Sequence, residues 1–214
     1  MAEHYFTGNP SSGHDPRTVT LRCGDRELVC RTDAGMFSRD HLDSGSALLL
    51  EALARALPAD SSGRALDLGC GWGAVGLCLA ARHPHLELVL CDVNRRALDL
   101  ARQNFARNAL RATFFHSDGL AGVPGNFDWI LTNPPIRAGK SVVYRLFDES
   151  RARLAPGGAL YAVIRKRQGA PSALAHLRGL FGLAEVVKRG GGYWVIRCGE
   201  KTDFNAPAKE EPLA

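Results

Sequence analysis

The chain has 214 residues, of which 45% are hydrophobic and 23% are charged, and its formal net charge is +5 at pH 7. This length and apolar fraction are sufficient for one compact domain with a sizeable core. The sequence has no apolar run approaching 18 residues and no signal-peptide core, so we expect neither a membrane protein nor a secreted one and predict a cytoplasmic protein.

The first predicted elements form an N-terminal extension, residues 1–43, which carries a β-hairpin. Val19–Cys23 and Glu27–Thr32 read as two strands that turn at Gly24-Asp25. Ser44 is then predicted to cap a helix whose apolar face repeats every four residues, at Leu49, Leu53 and Leu57.

A glycine-rich turn follows, because Arg64 to Gly73 reads as a short strand running into alternate glycines, and Ala74 to Arg82 reads as a buried helix. Glycines let the backbone approach a ligand closely, and the helix N-terminus supplies free N–H groups. The next apolar strand, Leu86 to Cys91, ends in Asp92. An acidic residue about twenty positions after the glycines is placed to accept hydrogen bonds from a ribose.

The second half continues the alternation of helices and strands, which predicts a mostly parallel sheet. Asn94 is predicted to cap a helix, and a strand at Thr113–Phe115 leads to Asp118, which is placed to reach an adenine amino group. A later strand, Ala159–Ile164, precedes a final antiparallel pair. That pair lies around Val186-Val187 and Tyr193–Arg197 and is joined through Gly190-Gly191-Gly192.

The six cysteines are Cys23, Cys30, Cys70, Cys78, Cys91 and Cys198. They form no CxxC pair and have no histidine at zinc-binding spacing, so no metal site is predicted. Most fall in predicted strands or in the helix after the glycine turn. Buried free thiols in a reducing cytoplasm are the expected state.

Asn133-Pro134-Pro135-Ile136 follows an apolar, strand-like run that ends at Leu131. Proline lacks an N–H and restricts the preceding residue to extended conformations, so two prolines fix a short turn. Such a turn presents the Asn133 amide and the Pro134 carbonyl as two acceptors for both hydrogens of a planar amino group. An enzyme that methylates an exocyclic amine needs this arrangement, although a rigid strand-to-helix turn is the simpler alternative.

A nicotinamide dinucleotide site is the main rival interpretation, because Gly71 to Gly76 also matches the G-x-G-x-x-G pattern with Asp92 as its ribose acid. Asp67, two residues before the first glycine, favours the other interpretation. A carboxylate at that position repels a pyrophosphate but suits the ammonium of a methionine group.

The chain resembles class I S-adenosylmethionine-dependent methyltransferases in the order and strand-end positions of its motif residues. These are Asp67, Gly69, Gly71, Asp92, Asp118 and Asn133-Pro134-Pro135. Four further segments resemble the ribosomal small-subunit (16S rRNA) guanine-N2 methyltransferase family in its single-domain form, namely His4–Phe6, Thr32–Ser38, Asp43–Ser46 with Leu48–Leu50, and Lys166–Ser172. The resemblance implies a Rossmann-like fold, with a mostly parallel seven-stranded sheet, helices on both faces and a small N-terminal hairpin. It implies a catalytic domain at 44–200, and 201–214 is predicted to be a disordered tail.

The resemblance also implies a cofactor, S-adenosylmethionine, and assigns candidate residues. The cofactor residues are Phe37, Ser38, Asp67, Gly69, Cys70, Gly71, Asp92, Val93, Asp118, Gly119 and Asn133. The catalytic residues are Asn133, Pro134 and Pro135, and the RNA-contacting residues are Ile136, Arg137, Lys140, Lys166 and Arg167. Many relatives carry an aromatic residue where this chain has Ile136, and larger members have an additional domain.

The positions of four basic residues support RNA as the partner, namely Arg137, Lys140, Lys166 and Arg167. They follow strands at the edge of the sheet where open α/β folds bind ligands. Three residues are candidate proton acceptors, namely Tyr144, His41 and His116. Side chains of these types more often have a packing or surface role, and water is sufficient to accept the proton.

A protein glutamine-amide N-methyltransferase stays an alternative. So does a non-catalytic RNA-binding factor, although the intact Asp67, Asp92 and Asn133 argue against it. The sequence leaves open the target nucleotide, free RNA or assembled subunit as substrate, and the oligomeric state.

Overall fold

The structure is a computed structural model that describes residues 13–34, 36, 38 and 41–200. Its strands are β1 (Arg17–Cys23), β2 (Arg26–Thr32), β3 (Gly63–Leu68), β4 (Leu86–Asp92), β5 (Thr113–His116), β6 (Phe127–Thr132), β7 (Leu154–Arg165), β8 (Leu183–Gly190) and β9 (Tyr193–Gly199). Its α-helices are α1 (Ser44–Ala56), α2 (Ala74–Arg82), α3 (Arg95–Arg107), α4 (Lys140–Ala152) and α5 (Ala170–Leu180).

Seven strands form one sheet in the order β5-β4-β3-β6-β7-β9-β8. The strands β3 to β7 are parallel, whereas β9 is antiparallel to both of its neighbours, β7 and β8. The chain order reverses at β3, which lies between β4 and β6, and such a reversal opens a crevice at the carboxyl ends of the strands. The predicted Rossmann-like fold with a mostly parallel seven-stranded sheet is confirmed.

Two hydrophobic layers cover the sheet, and successive residues of one strand belong to opposite layers. Ala65 packs in the layer that contains α1, α2 and α3, while Leu66 packs in the layer that contains α4 and α5. Because side chains alternate across a strand and both faces are covered, the central parallel strands are nearly continuous apolar runs. The helices lie on both faces, as predicted.

The β1–β2 hairpin forms a separate two-stranded sheet that packs on α2 and α3. Side chains at the C-terminal end of α3 and at its C-cap pair with the outer edge of β2 in place of a third strand. Asn104 accepts the Arg31 N–H at 2.6 Å and donates to its carbonyl at 2.9 Å, and Asn108 pairs with Val29 in the same way, at 3.0 Å for both bonds. Asn104 Nδ2 also donates to the Trp72 carbonyl at 3.1 Å, which ties the hairpin to the glycine turn.

Replacing Asn104 with Ala is expected to lower the free energy of unfolding by about 2 to 4 kcal/mol, because it removes two part-buried hydrogen bonds to the Arg31 backbone and a buried one to the Trp72 carbonyl. Asn108→Ala is the matched control. Asn108 is only half-buried, so its loss should cost about 1 kcal/mol. Chemical denaturation of both variants measures the difference, and equal losses would show that the additional bond of Asn104 to the Trp72 carbonyl adds no stability.

The N-cap of α1 differs from the sequence prediction. Asp43, not Ser44, is the cap, and its Oδ1 accepts the N–H groups of Gly45 at 2.9 Å and Ser46 at 3.0 Å. Ser44 is the first residue of the helix. A carboxylate satisfies two free N–H groups and also interacts favourably with the positive end of the helix dipole. The predicted cap of α3 is confirmed, since Asn94 Oδ1 accepts the Ala97 N–H at 3.1 Å.

The cysteines are not all free, which corrects the sequence expectation. Cys23 of β1 and Cys78 of α2 form a disulfide. The packing of the hairpin on α2 brings them together across 55 positions, a proximity that spacing along the chain does not reveal. The other four cysteines are free and buried. Burial raises the pKa of the Cys91 thiol to about 12, so this thiol is protonated at neutral pH.

The division at residue 43 between the extension and the catalytic domain stays a prediction. Residues 1–12 and the predicted tail, 201–214, lie outside the described residues.

Candidate active site

A cavity of about 370 Å³ lies at the carboxyl edge of the sheet. Its walls come from the turn after β3, the ends of β4 and β6, the loop after β5 and the first turn of α1. This is the switch point of the sheet, where the strand order reverses. The volume is in the range of pockets that hold a small organic ligand.

The glycine turn forms one wall of this cavity. The N–H groups of Gly69 and Cys70 donate to the Cys91 carbonyl at 2.9 Å and 3.0 Å, which holds the turn against the end of β4. Gly69 and Gly71 have φ values of 74° and 55°, a region that favours glycine. A Cβ at either position would meet no heavy atom within 4 Å. The turn therefore exposes its backbone to open space, and a ligand can approach it closely.

Asp92 is held by the backbone of two neighbouring segments. Its Oδ2 accepts the Gly71 N–H at 2.7 Å, and its Oδ1 accepts the Asn94 N–H at 2.8 Å. Burial raises the pKa of this carboxyl. Because each carboxylate oxygen has further lone pairs, Asp92 can still accept hydrogen bonds from hydroxyl groups of a ligand.

Asp67 is a buried carboxyl group within β3 that also lines the cavity. Its Oδ2 accepts the Gly76 N–H at 2.9 Å. Burial, with a smaller contribution from the charge of Asp92, raises the pKa of Asp67 to about 7. A cationic group in the cavity would stabilise its ionised form, so the wall formed by Asp67 suits a positively charged ligand.

Asp118 lies at the opposite end of the cavity in an ionic network that the sequence analysis missed. Arg145 of α4 donates to Asp118 Oδ1 at 2.6 Å and to Glu149 Oε1 at 2.7 Å. Glu149 Oε2 in turn accepts the Leu120 N–H at 2.8 Å. Asp118 is itself largely exposed, so Arg145 restricts the orientation of a side chain that would otherwise rotate in solvent.

The Asn-Pro-Pro turn begins where β6 ends. The Thr132 hydroxyl donates to the Leu68 carbonyl at 3.0 Å, which holds this strand end beside β3. Asn133 and Pro135 then line the cavity. The Pro135 carbonyl accepts the Ala138 N–H at 2.9 Å, whereas no hydrogen bond to the Pro134 carbonyl is found within the described ranges. Pro134 itself is buried and is not among the residues that line the cavity, so its role as an acceptor stays a prediction.

All predicted cofactor residues that the structure describes line this one cavity, namely Ser38, Asp67, Gly69, Cys70, Gly71, Asp92, Val93, Asp118, Gly119 and Asn133. Phe37 lies outside the described residues. Asp43, Ser46 and Arg145 also line the cavity without having been assigned a role from sequence. The available signal was Asp43 itself, a good N-cap residue directly before an apolar helical pattern. The roles of all these residues stay predictions.

The predicted RNA-contacting residues lie outside the cavity. Ile136 is half-buried against the layer that contains α4 and α5. The four basic residues are exposed in the segments that follow β6 and β7 at the carboxyl edge, namely Arg137, Lys140, Lys166 and Arg167. They form a basic rim beside the Asn-Pro-Pro turn.

None of the three candidate proton acceptors lines the cavity. The Tyr144 ring stacks on His176, with centroids 4.0 Å apart, and His41 is exposed. His116 Nε2 lies 2.9 Å from the Val93 carbonyl, which can only accept, so this nitrogen carries a hydrogen. These contacts favour packing or surface roles for all three.

Within residues 13–34, 36, 38 and 41–200, no group of three or more His, Cys, Asp or Glu side chains is arranged to hold a metal ion. No helix in the same part of the chain has the length and apolar character needed to span a bilayer.

Comparison with known proteins identifies the family. The family model described as the methyltransferase small domain matches residues 27–197. The chain is 38% identical to Uncharacterized protein YbxB of Bacillus subtilis (strain 168) over 201 residues, which are 92% of this chain and 98% of YbxB. It is 34% identical to Ribosomal RNA small subunit methyltransferase C of Citrobacter koseri over 80% of this chain and 49% of that protein. The chain belongs to the methyltransferase small domain family.

A solved structure of similar fold matches most of the chain. It is the 16S rRNA N2 G1207 methyltransferase RsmC of T. thermophilus, in complex with AdoMet and guanosine, with a TM-score of 0.78 and 29% identity. The match covers 87% of this chain and 51% of that one. The chain therefore spans about half the length of the two named ribosomal RNA methyltransferases and nearly all of YbxB.

Proposed function

We propose that this protein is an S-adenosylmethionine-dependent N-methyltransferase that acts on the exocyclic amine of a guanine in RNA, in particular small-subunit ribosomal RNA in the cytoplasm. The observation that carries the proposal is the Asn133-Pro134-Pro135 turn, whose Asn133 and Pro135 line the cavity and whose Pro134 carbonyl accepts no hydrogen bond from the described residues. The similarity to an enzyme whose structure contains AdoMet and guanosine supports it.

The cavity residues fit S-adenosylmethionine, whose bound form supplies an electrophilic methyl group on a sulfonium cation. Asp67 would hold the ammonium of the methionine group, and Asp92 would accept hydrogen bonds from the ribose hydroxyls. Asp118, oriented by Arg145, would accept from the adenine amino group. The open space beside Gly69 and Gly71 lets the ligand lie against the backbone.

The same turn explains how the chain would activate an amine. Asn133 Oδ1 accepts one N–H of the target amino group and the Pro134 carbonyl accepts the other, which turns the nitrogen lone pair out of conjugation with the base. As the new N–C bond forms, the S–C bond of the sulfonium would break and leave a neutral thioether, so positive charge develops on nitrogen and both hydrogen bonds strengthen. This stabilises the transition state more than the ground state. The nitrogen then loses one proton to water.

The surroundings of the turn favour RNA over a glutamine side chain, whose amide the turn also fits. Besides the basic rim, two arginines lie over aromatic rings at the start of β9, Arg165 over Tyr193 at 5.7 Å and Arg189 over Trp194 at 5.1 Å. Lys166 N donates to the Gly192 carbonyl at 2.8 Å, which places this aromatic pair next to the rim. Cationic and aromatic groups together suit phosphates and unstacked bases.

The proposal is tested by incubating the protein with labelled S-adenosylmethionine and, in parallel, with ribosomal RNA, assembled small subunits and a protein fraction. Label is expected in one or both RNA-containing samples, within the RNA after phenol extraction. Label confined to protein would instead support a glutamine-amide methyltransferase. Binding of RNA with no transfer to any fraction would support a non-catalytic RNA-binding factor.

Cofactor affinity should depend on pH through Asp67. Its pKa is about 7 in the ligand-free fold, above the value of about 3.9 expected for an unfolded chain, so the carboxyl group is increasingly protonated as pH falls below 7. A cationic ligand prefers the ionised form, so the dissociation constant for S-adenosylmethionine should rise by up to about tenfold per pH unit between pH 7 and 5. Calorimetric titration across this range measures the slope.

Asp67→Asn is the control for this pH dependence. The variant should bind the cofactor more weakly at pH 8 and should lose most of the slope. The same substitution should raise the free energy of unfolding of the ligand-free protein at pH 8, since the ionised buried carboxyl group is lost. An undiminished slope in Asp67→Asn would assign the titration to another group, such as Asp92.

Arg137→Ala should weaken RNA binding without impairing the chemical step. A phosphate contact acts on ground state and transition state alike, so KM for RNA should rise, kcat should stay near the wild-type value, and the salt slope of binding should shrink by about one. Arg107→Ala, an exposed arginine at the end of α3, is the matched control. If both variants lose RNA affinity equally, the basic rim has no special role.

A further inference from the structure

The Asn133 side chain acts as an acceptor toward an amine only if its amide oxygen, and not its NH2 group, faces the target. The two orientations have nearly the same shape, so steric packing alone selects poorly between them. In the reversed orientation the NH2 group would meet the donor N–H of the target and repel it. Something in the structure must therefore fix the orientation of this amide.

The first turn of α1 fixes it. Asn133 Nδ2 lies 3.2 Å from Asp43 Oδ1 and 3.2 Å from Ser46 Oγ. Asp43 Oδ1 already accepts two backbone N–H groups, and a carboxylate oxygen has no hydrogen to donate, so only the NH2 group of Asn133 can face it. The amide oxygen must then lie on the opposite side, away from α1.

Asp43 is itself held firmly. The same Oδ1 atom accepts the backbone N–H groups of Gly45 and Ser46, at 2.9 Å and 3.0 Å. A Cβ at Gly45 would come within 2.9 Å of this oxygen and 3.1 Å of the Tyr193 ring, so the turn is packed closely around the carboxylate. One oxygen atom thus caps a helix and orients an amide 90 residues away in the chain.

We propose that Asp43, assisted by Ser46, is a positioning residue that holds the Asn133 amide oxygen toward the target amine. The inference rests on the proposed function and extends it. An acceptor fixed in this way favours a substrate atom that carries hydrogens, such as an exocyclic amine, and disfavours a carbonyl oxygen or an unprotonated ring nitrogen. The helix start of α1 therefore contributes to the choice of the methylated atom.

The test compares Asp43→Ser, Asp43→Asn and Ser46→Ala with the wild-type protein. Serine still caps a helix but is too short to reach both Asn133 and the helix N–H groups, so kcat should fall about tenfold, while cofactor affinity stays within about twofold. Asparagine keeps an acceptor oxygen in the same place and should restore kcat to within about threefold of the wild type. Ser46→Ala should lower kcat about threefold, whereas Ser44→Ala, an exposed residue of the same turn, should not.

A double-mutant cycle separates positioning from a merely structural role. In an Asn133→Ala background, Asp43→Ser and Ser46→Ala should each change kcat by less than about twofold, because the amide they orient is gone. An undiminished effect in that background would overturn the proposal. Weaker cofactor binding with unchanged kcat would also overturn it, since Asp43 lines the cofactor cavity. If Asp43→Ser lowers the melting temperature strongly, its effect on kcat cannot be assigned to positioning. The double-mutant cycle of Ser46→Ala with Asn133→Ala then tests the positioning role.

The substrate for these rates is whichever fraction the wild-type protein methylates. Methylation of protein alone would overturn the RNA assignment, and the cycle on that protein would still decide the role of Asp43. Methylation of RNA with additive effects of Asp43 and Asn133 would overturn the positioning role and leave the proposed function intact.

Discussion

Asn133→Ala is expected to lower kcat about a hundredfold or more, with cofactor affinity nearly unchanged. The amide oxygen acts mainly as charge builds on the target nitrogen, so its loss should cost as much as the loss of other preorganised polar groups in active sites. Single-turnover methyl transfer, combined with calorimetric titration of the cofactor, separates the two effects.

Thr132→Val is a suitable comparison, because Thr132 precedes Asn133 but its hydroxyl bonds only to the Leu68 carbonyl among the described contacts. It should lower stability more than it lowers kcat. If Asn133→Ala kept a nearly normal kcat and lost only RNA affinity, the Asn-Pro-Pro turn would be a docking surface, and its catalytic assignment would be wrong.

Asp92→Ala is expected to weaken S-adenosylmethionine binding by about 1.5 to 3 kcal/mol, the range for losing hydrogen bonds to a charged group. Here the carboxylate also accepts the Gly71 and Asn94 N–H groups, so its removal frees the glycine turn as well. The loss should therefore lie toward the upper end of that range.

Asp118→Ala provides the matched comparison for Asp92. Asp118 is largely exposed and its carboxylate is shared with Arg145, so its loss should weaken cofactor binding by about 1 kcal/mol or less. Titration of both variants with S-adenosylmethionine and with a nicotinamide dinucleotide shows which variant loses more affinity for each ligand. Tight dinucleotide binding that depends on Asp92, with no response to S-adenosylmethionine, would refute the cofactor assignment.

The parts of the fold that the sequence predicted are those set by local patterns. The helix after the glycine turn has the predicted bounds, Ala74–Arg82, because the glycines mark its start and the apolar run ends at Arg82. The hairpin turn at Gly24-Asp25 and the final antiparallel pair were likewise specified by their glycines. The predicted cofactor residues converge because parallel strands bring their carboxyl ends to one edge.

The features that the sequence did not predict depend on contacts between distant segments. Arg145 reaches Asp118 across 27 positions, and Asn104 reaches Arg31 across 73. Hydrophobic periodicity reports which face of a helix is buried, but it does not report which polar group that face meets. The Cys23–Cys78 disulfide was missed for the same reason, since it depends on how the hairpin docks on α2. The cap at Asp43 was displaced by one residue, because Asp43 and Ser44 are both good capping residues.

Identifying the atom that receives the methyl group tests the proposed chemistry most directly. The wild-type protein is incubated with labelled S-adenosylmethionine and ribosomal RNA or small subunits, the RNA is digested to nucleosides, and the labelled nucleoside is identified by mass spectrometry against standards. The label should be found in N2-methylguanosine, and it should be lost in Asn133→Ala. Label in a ribose, a ring nitrogen or a protein side chain would contradict the proposed grip on an exocyclic guanine amine.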